Sequence, residues 1–346
     1  MSVVTSNKSI ARQLGDRPSK TRNFFYMLRN KQHRQWFDFS SAALLGFVTF
    51  LILSCWQHHL HAETAIAPVE TVKLTWFQGI VLGFVQGLTE FIPISSTAHM
   101  KVVPVMLGWG DPGVAMAAII QLGSIVAVLS YFWQDLRQVF GGAWQAWQTK
   151  DFEKQEWLLF WGICWGTIPI VIAGVVIKVF VPNYDESPLR SLTAIAIASI
   201  VMSILLAIAE KSKNHDRKFE QLTLKDGLLM GAAQALAIIP GVSRSGSTMT
   251  AGLFMNLDRA TAARFSFLLG IPAITIAGLV ELKGLLSDNL GSVPLFTLVA
   301  SLVSSAVFSY LAIAWLIKFL QNHKTWVFVW YRLAFGMIIL ALTQLP

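Results

Sequence analysis

A proline-interrupted segment groups polar side chains inside an otherwise apolar stretch of the chain. Residues 76–100 are overwhelmingly apolar, yet they include Glu90, His99 and the adjacent Ser95 and Ser96. A proline interrupts any helix there, because its ring has no N–H to donate. A carboxylate at the centre of a membrane helix costs roughly 2.5–3.5 kcal/mol on insertion scales. The grouping therefore predicts a functional site that faces protein or water rather than lipid.

A second segment, residues 234–247, carries the same kind of break further along the chain. It contains Pro240 and Ser243, and Arg244 is the lone charged residue between residues 227 and 257. Helix N-termini carry free N–H groups and partial positive charge, which suit phosphate. The guanidinium of an arginine is a charged fork that matches phosphate oxygens. If the two breaks meet, they form an anion site with a carboxylate beside it.

The carboxylate needs its own explanation, because a negative charge beside an anion is repulsive. Glu90 could bind a divalent cation, Mg²⁺ or Ca²⁺, that bridges to phosphate, with the amide oxygen of Gln86 one helical turn away. It could instead act as a general base. A structural ion pair between Glu90 and Arg244 is a third interpretation.

Ser96 is the preferred nucleophile, because Glu90 and His99 lie close to it in the chain. Direct attack by water and attack by His99 stay open. The catalytic candidates are thus Glu90, Ser96, His99 and Arg244. The residues expected to bind phosphate are Gln86, Ser95, Thr97, Ser243, Ser245 and Gly246.

Composition places the chain among helical membrane proteins. Of 346 residues, 54% are hydrophobic and 13% are charged, and several apolar runs reach the roughly 20 residues that span a bilayer. The alternation typical of an outer-membrane barrel is missing. The net charge of +8 is concentrated in the N-terminal tail and short loops, so we expect no nucleic-acid partner. Cys55 and Cys164 lie in apolar runs and predict neither a disulfide framework nor a zinc site.

We interpret the N-terminal part of the chain as an extension that precedes a membrane core. Residues 1–36 are basic and are expected to stay in the cytoplasm. Residues 37–56 are long enough to cross the membrane once, and we interpret them as an uncleaved anchor, with a cleavable signal as the alternative. Residues 57–74 form a polar linker, and the core begins near residue 75.

Apolar runs in the core predict an all-α polytopic membrane protein. Four of the runs are too short to span, and they form two pairs, each hinged on a Pro/Ser/Gly break, as in re-entrant helix–loop–helix hairpins. The other six are predicted to span, in addition to the N-terminal transmembrane helix. The runs are 75–92, 97–108, 113–133, 157–181, 191–209, 227–239, 246–257, 260–282, 293–319 and 326–345.

Loop charges and an internal similarity indicate an inverted repeat. The basic loops 134–156, 210–226 and 320–325 fall inside and the acidic loop 182–190 falls outside, as the positive-inside rule requires. Aligning the glutamines that begin the two breaks, Gln86 and Gln234, places Ser95 opposite Ser243 and Ser96 opposite Arg244. In this topology the first hairpin enters from outside and the second from inside, so the two would meet near the midplane.

Two motifs together resemble a known family. They read Gln86-x-x-x-Glu90 followed by Pro93-x-Ser95-Ser96-Thr97-x-His99, with Pro240-Gly-x-Ser243-Arg244-Ser245-Gly246 downstream. In this order they resemble the bacterial undecaprenyl-diphosphatase family, also called the bacitracin-resistance protein family. Residues 121–124 and 265–272 support the resemblance, which covers about residues 75–346.

The resemblance implies a phosphatase domain over residues 75–346. It would remove the terminal phosphate of undecaprenyl diphosphate in the bacterial inner membrane, which yields the carrier lipid for peptidoglycan synthesis and confers bacitracin resistance. The family's acidic, serine/histidine and arginine motifs map onto residues 86–90, 95–99 and 244. A glutamine at position 86 weakens schemes with two carboxylates on a metal.

Several alternatives stay open beside this interpretation. The N-terminal extension departs from the family pattern. A flippase for the monophosphate lipid would need the same anion site, and a phosphatase for shorter diphosphate lipids would share it. A homodimer also stays open. The direction of the first hairpin predicts an active site on the outer side of the membrane.

Overall fold

The structure is a computed structural model that describes residues 74–110, 113–181, 184, 187–212, 214–287 and 294–344. The described residues belong to one compact unit, Ile66–Pro346. The predicted tail, anchor and almost all of the linker lie outside the described residues. The domain boundaries drawn there stay predictions.

The described part of the chain is built from α-helices joined by short connections. In chain order the helices are α1 (Trp76–Phe91), α2 (Ser96–Met106), α3 (Gly113–Tyr131), α4 (Trp133–Thr149), α5 (Gln155–Phe180), α6 (Leu192–Lys211), α7 (Leu224–Ala235), α8 (Arg244–Phe254), α9 (Arg259–Ser287), α10 (Leu295–Leu320) and α11 (Trp326–Leu342). Short 3₁₀ turns occupy Pro188–Arg190, Phe219–Gln221 and Leu236–Ile238. No strand is assigned among these residues, which confirms the all-helical prediction for them.

Four helices are long and apolar enough to cross a membrane by length and composition: Gln155–Phe180, Leu192–Lys211, Arg259–Val280 and Leu295–Leu320. They correspond to four of the six predicted spans. For the predicted span 113–133, α3 bends by 64° into α4, and the pair counts as a fifth crossing if it is taken as one span. For 326–345, α11 is apolar but has 17 residues. Among the described residues the structure thus offers four or five candidate crossings, and the predicted count of six stays a prediction.

The predicted loop 134–156 is wrong for most of its length, because residues 133–149 form α4. Val139, Ala143 and Ala146 recur at helical spacing and are buried, and α4 packs against α5. Trp144 and Trp147 are exposed. Residues 134–156 contain no long continuous apolar run because α4 is amphipathic, with polar residues between its apolar ones.

Helix pairing in the core agrees with the predicted repeat. Helix α1 packs on α10 and α7 packs on α5, while α3 contacts α10 and α9 contacts α5. If α1 is matched with α7, α3 with α9 and α5 with α10, each contact in one half has an equivalent contact in the other half. Helices α6 and α11, which would also be equivalent, pack on each other, as do α3 and α9. Such self-pairing agrees with a two-fold relation between the halves.

Local sequence explains where the short helices begin and end. At α1 the Thr75 side chain accepts a hydrogen bond from the backbone N–H of Gln78 in a capping box, and at α7 Thr223 and Asp226 form a second box. Helix α1 ends at Phe91, because Ile92 precedes a proline and is extended, with ψ 136°. Each of the two short helix pairs is therefore interrupted where the sequence predicted.

Both breaks turn through a serine with left-handed backbone. Ser95 has φ 77° and Ser243 has φ 70°, and each occupies the N-cap position of the helix that follows, α2 or α8. Non-glycine residues rarely adopt positive φ, and such strained positions cost on the order of 1–3 kcal/mol. The two serines that the repeat aligned therefore share an unusual conformation.

Candidate active site

Glu90 and Ser96 face each other across the first break. The Ser96 hydroxyl donates a hydrogen bond of 2.6 Å to Glu90 Oε2, which also accepts from Gln86 Nε2 at 2.9 Å. The sequence predicted that the amide oxygen of Gln86 would lie beside Glu90, but in the structure its nitrogen does. Glu90 and Gln86 are buried, whereas Ser96 is half-buried and the adjacent Thr97 is exposed. A hydroxyl bonded to a carboxylate at an accessible position is the arrangement of a nucleophile with its base.

Arg244 reaches the same carboxylate from the second break. Its Nη2 lies 3.5 Å from Glu90 Oε1, and its guanidinium carbon lies 5.9 Å from the centre of the Phe91 ring. The side chains of Arg244 and Glu90 are 9% and 6% exposed. The N–H at Arg244 Nε has no hydrogen-bond acceptor among the described residues. Arg244 therefore compensates the carboxylate through one side of its fork and retains a donor for a further anion.

One hydrogen bond joins the breaks directly, and two contacts shape the second break itself. The Ser245 hydroxyl donates to the Ile92 carbonyl at 3.2 Å, which links the start of α8 to the end of α1. The Ser243 hydroxyl accepts from the Gly246 N–H at 3.1 Å and lies 3.2 Å from the Ser245 hydroxyl. Ser243 thus caps the N-terminus of α8.

Ser95 occupies the equivalent N-cap position of α2, but its hydroxyl makes no capping bond. That hydroxyl lies 3.1 Å from the hydroxyl of Thr97 instead. The first-turn N–H groups of α2 therefore keep their capacity to bind an anion beside Ser96.

His99 lies next to the break, but its ring forms hydrogen bonds with Ser95 and Tyr331 rather than with Glu90 or Ser96. Its Nδ1 is 2.7 Å from the Ser95 carbonyl, so Nδ1 carries the proton and donates it. Its Nε2 is 2.6 Å from the Tyr331 hydroxyl, and its ring stacks on Phe335 with 4.2 Å between ring centres. Both ring nitrogens have partners, so the arrangement favours a role in holding the Ser95 backbone over a role as the nucleophile.

Sequence reasoning missed three residues of this region. Tyr331 and Arg332 come from α11, where Tyr331 bonds to His99 and Arg332 donates to the Pro93 carbonyl at 3.0 Å. Gly270 in α9 makes room for Arg244. An arginine inside the apolar run 326–345 was the available signal, since the same reasoning had identified Arg244.

The residues of the site fit a divalent cation only in part. Among the described residues there is no group of three His, Cys, Asp or Glu side chains that could hold a metal by themselves. Glu90 supplies one carboxylate, with the Ser96 hydroxyl beside it. Magnesium commonly binds through one or two carboxylates together with substrate phosphates. A cation at this site would therefore depend on phosphate oxygens for much of its coordination.

The chemistry that this geometry supports is transfer of a phosphoryl group. It combines a hydroxyl with a carboxylate as base, a buried guanidinium and the N-termini of two short helices. Charge on phosphate oxygens is stabilised by such donors.

Comparison with known proteins identifies the family. The model of the bacitracin resistance protein BacA family matches residues 79–338, which include both breaks and α11 up to Ile338. Its relatives include three proteins, from Synechocystis sp., Synechococcus elongatus and Nostoc sp., that are all named undecaprenyl-diphosphatase. The name of an enzyme in each case gives the flippase alternative no support.

The similarity covers most of each relative. The Synechocystis sp. protein is 64% identical over 269 residues, 78% of this chain and 82% of that protein. The Synechococcus elongatus protein is 63% identical over 275 residues, 80% and 96% of the two chains. The Nostoc sp. protein is 58% identical over 309 residues, 89% and 95% of the two chains, so this match reaches into the N-terminal extension. The matched residues and these identities show that the chain belongs to the bacitracin resistance protein BacA family.

Proposed function

We propose that this protein hydrolyses undecaprenyl diphosphate to undecaprenyl phosphate and inorganic phosphate, which recycles the carrier lipid of peptidoglycan synthesis and confers bacitracin resistance. The observation that carries the proposal is the 2.6 Å hydrogen bond from the Ser96 hydroxyl to Glu90, with Arg244 on the other carboxylate oxygen. The relatives named undecaprenyl-diphosphatase support the choice of substrate.

In the first step Ser96 attacks the terminal phosphorus. Its proton passes to Glu90 Oε2 as the bond from the serine oxygen to phosphorus forms. The anhydride bond to the inner phosphate breaks on the opposite side, and undecaprenyl phosphate leaves as an anion. The products of this step are a phosphoserine and a protonated Glu90.

In the second step water attacks the phosphoserine and releases inorganic phosphate. The serine oxygen takes back the proton that Glu90 holds, and both protons of the water leave with the phosphate as dihydrogen phosphate. Ser96 and Glu90 thereby return to their starting states. Direct attack by a water that Glu90 activates gives the same products without the phosphoserine, so trapping of a phosphorylated residue separates the two routes.

Arg244 and the two helix N-termini stabilise the negative charge of the transferred group. In the free protein Arg244 lies against Glu90, which explains how two buried charges are tolerated without substrate. When phosphate binds, the guanidinium of Arg244 donates to it, and the Nε–H, which is buried and has no acceptor among the described residues, is a donor not used in the pair with Glu90. The ion pair then belongs to the catalytic arrangement rather than to the scaffold alone.

A divalent cation, Mg²⁺ or Ca²⁺, is part of the proposal. Glu90 would hold it, with Gln86 beside that carboxylate, and it would neutralise charge on the diphosphate. Treatment with a chelator is expected to lower phosphate release, and added Mg²⁺ or Ca²⁺ is expected to restore it. Full activity after exhaustive chelation would remove the cation from the scheme.

The membrane setting of the reaction is also proposed. The two short helix pairs, α1–α2 and α7–α8, enter the bilayer of the bacterial inner membrane as re-entrant hairpins from opposite sides, and the site opens to the outer side. The exposed Thr97 and half-buried Ser96 support an opening at the first break. A homodimer stays a prediction, to be checked by the mass of the purified protein in detergent.

The test is release of phosphate from undecaprenyl diphosphate by the purified full-length protein in detergent. Ser96→Ala, Glu90→Gln and Arg244→Met are each expected to lower kcat by at least about 100-fold, because each removes a group that acts in the transition state. Ser130→Ala is the matched control, since the Ser130 hydroxyl donates to the carbonyl of Ala127 within α3. Absence of phosphate release by the wild type would refute the proposed function.

A further inference from the structure

Arg332 is a buried arginine that has no carboxylate partner among the described residues. It lies in α11 and is 1% exposed. Among the described residues it forms hydrogen bonds to backbone carbonyls and no salt bridge. Burial of a charged group without compensation costs several kcal/mol, so such an arginine must make interactions that offset this cost.

The carbonyls that Arg332 binds belong to both helix breaks. Nη1 donates to the Pro93 carbonyl at 3.0 Å, in the first break. Nη2 donates to the carbonyls of Gly241 at 2.7 Å and Val242 at 3.0 Å, in the second break. Nε points to the Ser199 carbonyl in α6 at 3.5 Å. One guanidinium therefore bridges the two breaks and anchors them to the helix on which α11 packs.

These carbonyls lie one or two residues before the serines that have positive φ. Pro93 is two residues before Ser95, and Val242 is immediately before Ser243, the residues with φ of 77° and 70°. Left-handed backbone at a non-glycine residue persists only where surrounding contacts enforce it. A break also leaves carbonyls without helical partners, and Arg332 satisfies three of them. Its charge thus fixes the backbone from which Ser96 and Arg244 project.

The position of Arg332 separates it from the reacting groups. It has no hydrogen bond to Glu90, Ser96 or Arg244 among its contacts in the described structure. A Cβ added to Gly246 would lie 2.8 Å from Arg332 Nη1, so the guanidinium sits against the first turn of α8. The preceding residue of α11, Tyr331, holds His99. Helix α11 therefore contacts both breaks, through Arg332 and Tyr331.

We propose that Arg332 is a positioning residue that holds the two helix breaks together, so that Ser96 of one and Arg244 of the other converge on a single phosphoryl group. The inference rests on the proposed phosphatase function for its effect on rate. It concerns geometry, since Arg332 acts through the backbone carbonyls and not on the substrate. A lysine cannot replace it fully, because one ammonium does not have the planar fork that reaches both breaks.

The kinetic test compares Arg332→Met and Arg332→Lys with a matched control in phosphate release, normalised to folded, monodisperse protein. Displacement of reacting groups by about 1 Å can cost on the order of 100-fold. Arg332→Met is expected to lower kcat by about this factor with KM changed by only a few-fold, and Arg332→Lys is expected to recover part of the loss. The control is Ser203→Ala, which removes a hydrogen bond of 2.7 Å to the Val329 carbonyl in the same α6–α11 interface.

A second measurement tests the structure of the second break by cysteine labelling and does not depend on enzymatic activity. Val242 is 6% exposed, so a cysteine placed there, in a chain lacking Cys55 and Cys164, should react slowly with a maleimide. Arg332→Met is expected to raise that labelling rate by at least about 10-fold, because the hydrogen bonds from the guanidinium to both breaks are lost. Ser203→Ala is expected to leave the rate within a factor of two of the parent.

The outcomes separate the two proposals. If folded Arg332→Met retains kcat and its labelling rate equals that of the Ser203→Ala control, Arg332 is a structural residue and the positioning role is refuted. If the wild type releases no phosphate, the proposed function is refuted. If Arg332→Met still raises the labelling rate of Val242→Cys in that case, the role of Arg332 in holding the two breaks together is supported.

Discussion

At the scale of single residues, the site depends on space made for Arg244 as much as on the charge of Arg244 itself. A Cβ built on Gly270 would lie 1.5 Å from Arg244 Nη1 and 2.5 Å from its guanidinium carbon. No side chain can be added at Gly270 while the fork stays where it is. This explains why an apparently ordinary glycine inside α9 belongs to the site.

Gly270→Ala is expected to lower kcat/KM by at least about 10-fold, because Arg244 must leave its position beside Glu90 and lose transition-state contacts. The helix itself should tolerate the change, since alanine favours helix by about 1 kcal/mol over glycine. The measurement is phosphate release at several substrate concentrations. Gly141→Ala is the matched control, as an added Cβ there meets nothing within 4 Å. Unchanged kinetics for Gly270→Ala would show that the observed position of Arg244 is not required.

At the scale of elements, the second break is fixed at its base by a polar cluster between the α6–α7 connection and the α8–α9 junction. Arg217 donates to both oxygens of Asp226, at 2.9 and 2.6 Å, and its backbone pairs with Asn256 and Asp258. Lys218 lies 2.9 Å from Asp258. The cluster connects the start of α7 to the residues that follow α8. It therefore holds the two helices of this pair together at the ends that lie away from the break.

The charge on Asp258 should make this junction sensitive to acid. Burial raises the pKa of Asp258, but the hydrogen bond from the Thr261 backbone and the ion pair with Lys218 outweigh burial and hold that pKa below its ordinary value of 3.8. A depressed pKa in the folded state means that the ionised group stabilises the fold above the unfolded pKa of about 3.9. That contribution is lost as the pH falls through the folded pKa.

Asp258→Asn is therefore expected to lower Tm at pH 7 by a few degrees, with the difference from wild type shrinking as the pH falls below about 4. The check is Tm in detergent between pH 3 and pH 7. Asp151→Asn, at an exposed position, serves as the control. An equal loss of Tm at every pH would assign the effect to packing rather than charge.

At the scale of the whole molecule, the question is which side of the membrane the site faces. The proposed topology places the first break open to the outside and the α4 region inside. Thr97 is exposed at the break, and Gln148 is exposed on α4. The two positions therefore report on opposite sides of the bilayer if the topology is right.

In intact cells, Thr97→Cys is expected to react with a membrane-impermeant maleimide, whereas Gln148→Cys should react only after the cells are permeabilised. Both variants are made in a chain that lacks Cys55 and Cys164, so that labelling reports on the introduced thiol. The measurement is the labelled fraction before and after permeabilisation. Protection of Thr97→Cys together with labelling of Gln148→Cys would reverse the proposed orientation.

The sequence was sufficient to predict the parts of the fold that local chemistry decides. Proline and serine fixed the two helix breaks near their observed positions, and apolar runs of spanning length identified α5, α6, α9 and α10. It failed for α4, because an amphipathic helix lacks the continuous apolar run by which the other helices were identified. The predicted count of six spans in the core is not confirmed, since run length alone does not show where a helix bends.

By itself the sequence determined which residues must be kept from lipid: Glu90 with its serines in one break, and Arg244 in the other. Their cost in an apolar environment makes them visible without any structure. Only the tertiary structure decided that Ser96 bonds to Glu90, that His99 turns to Ser95 and Tyr331 instead, and that Arg332 joins both breaks. These contacts join residues up to 239 positions apart, and no local pattern encodes a hydrogen bond whose geometry depends on how α11 packs.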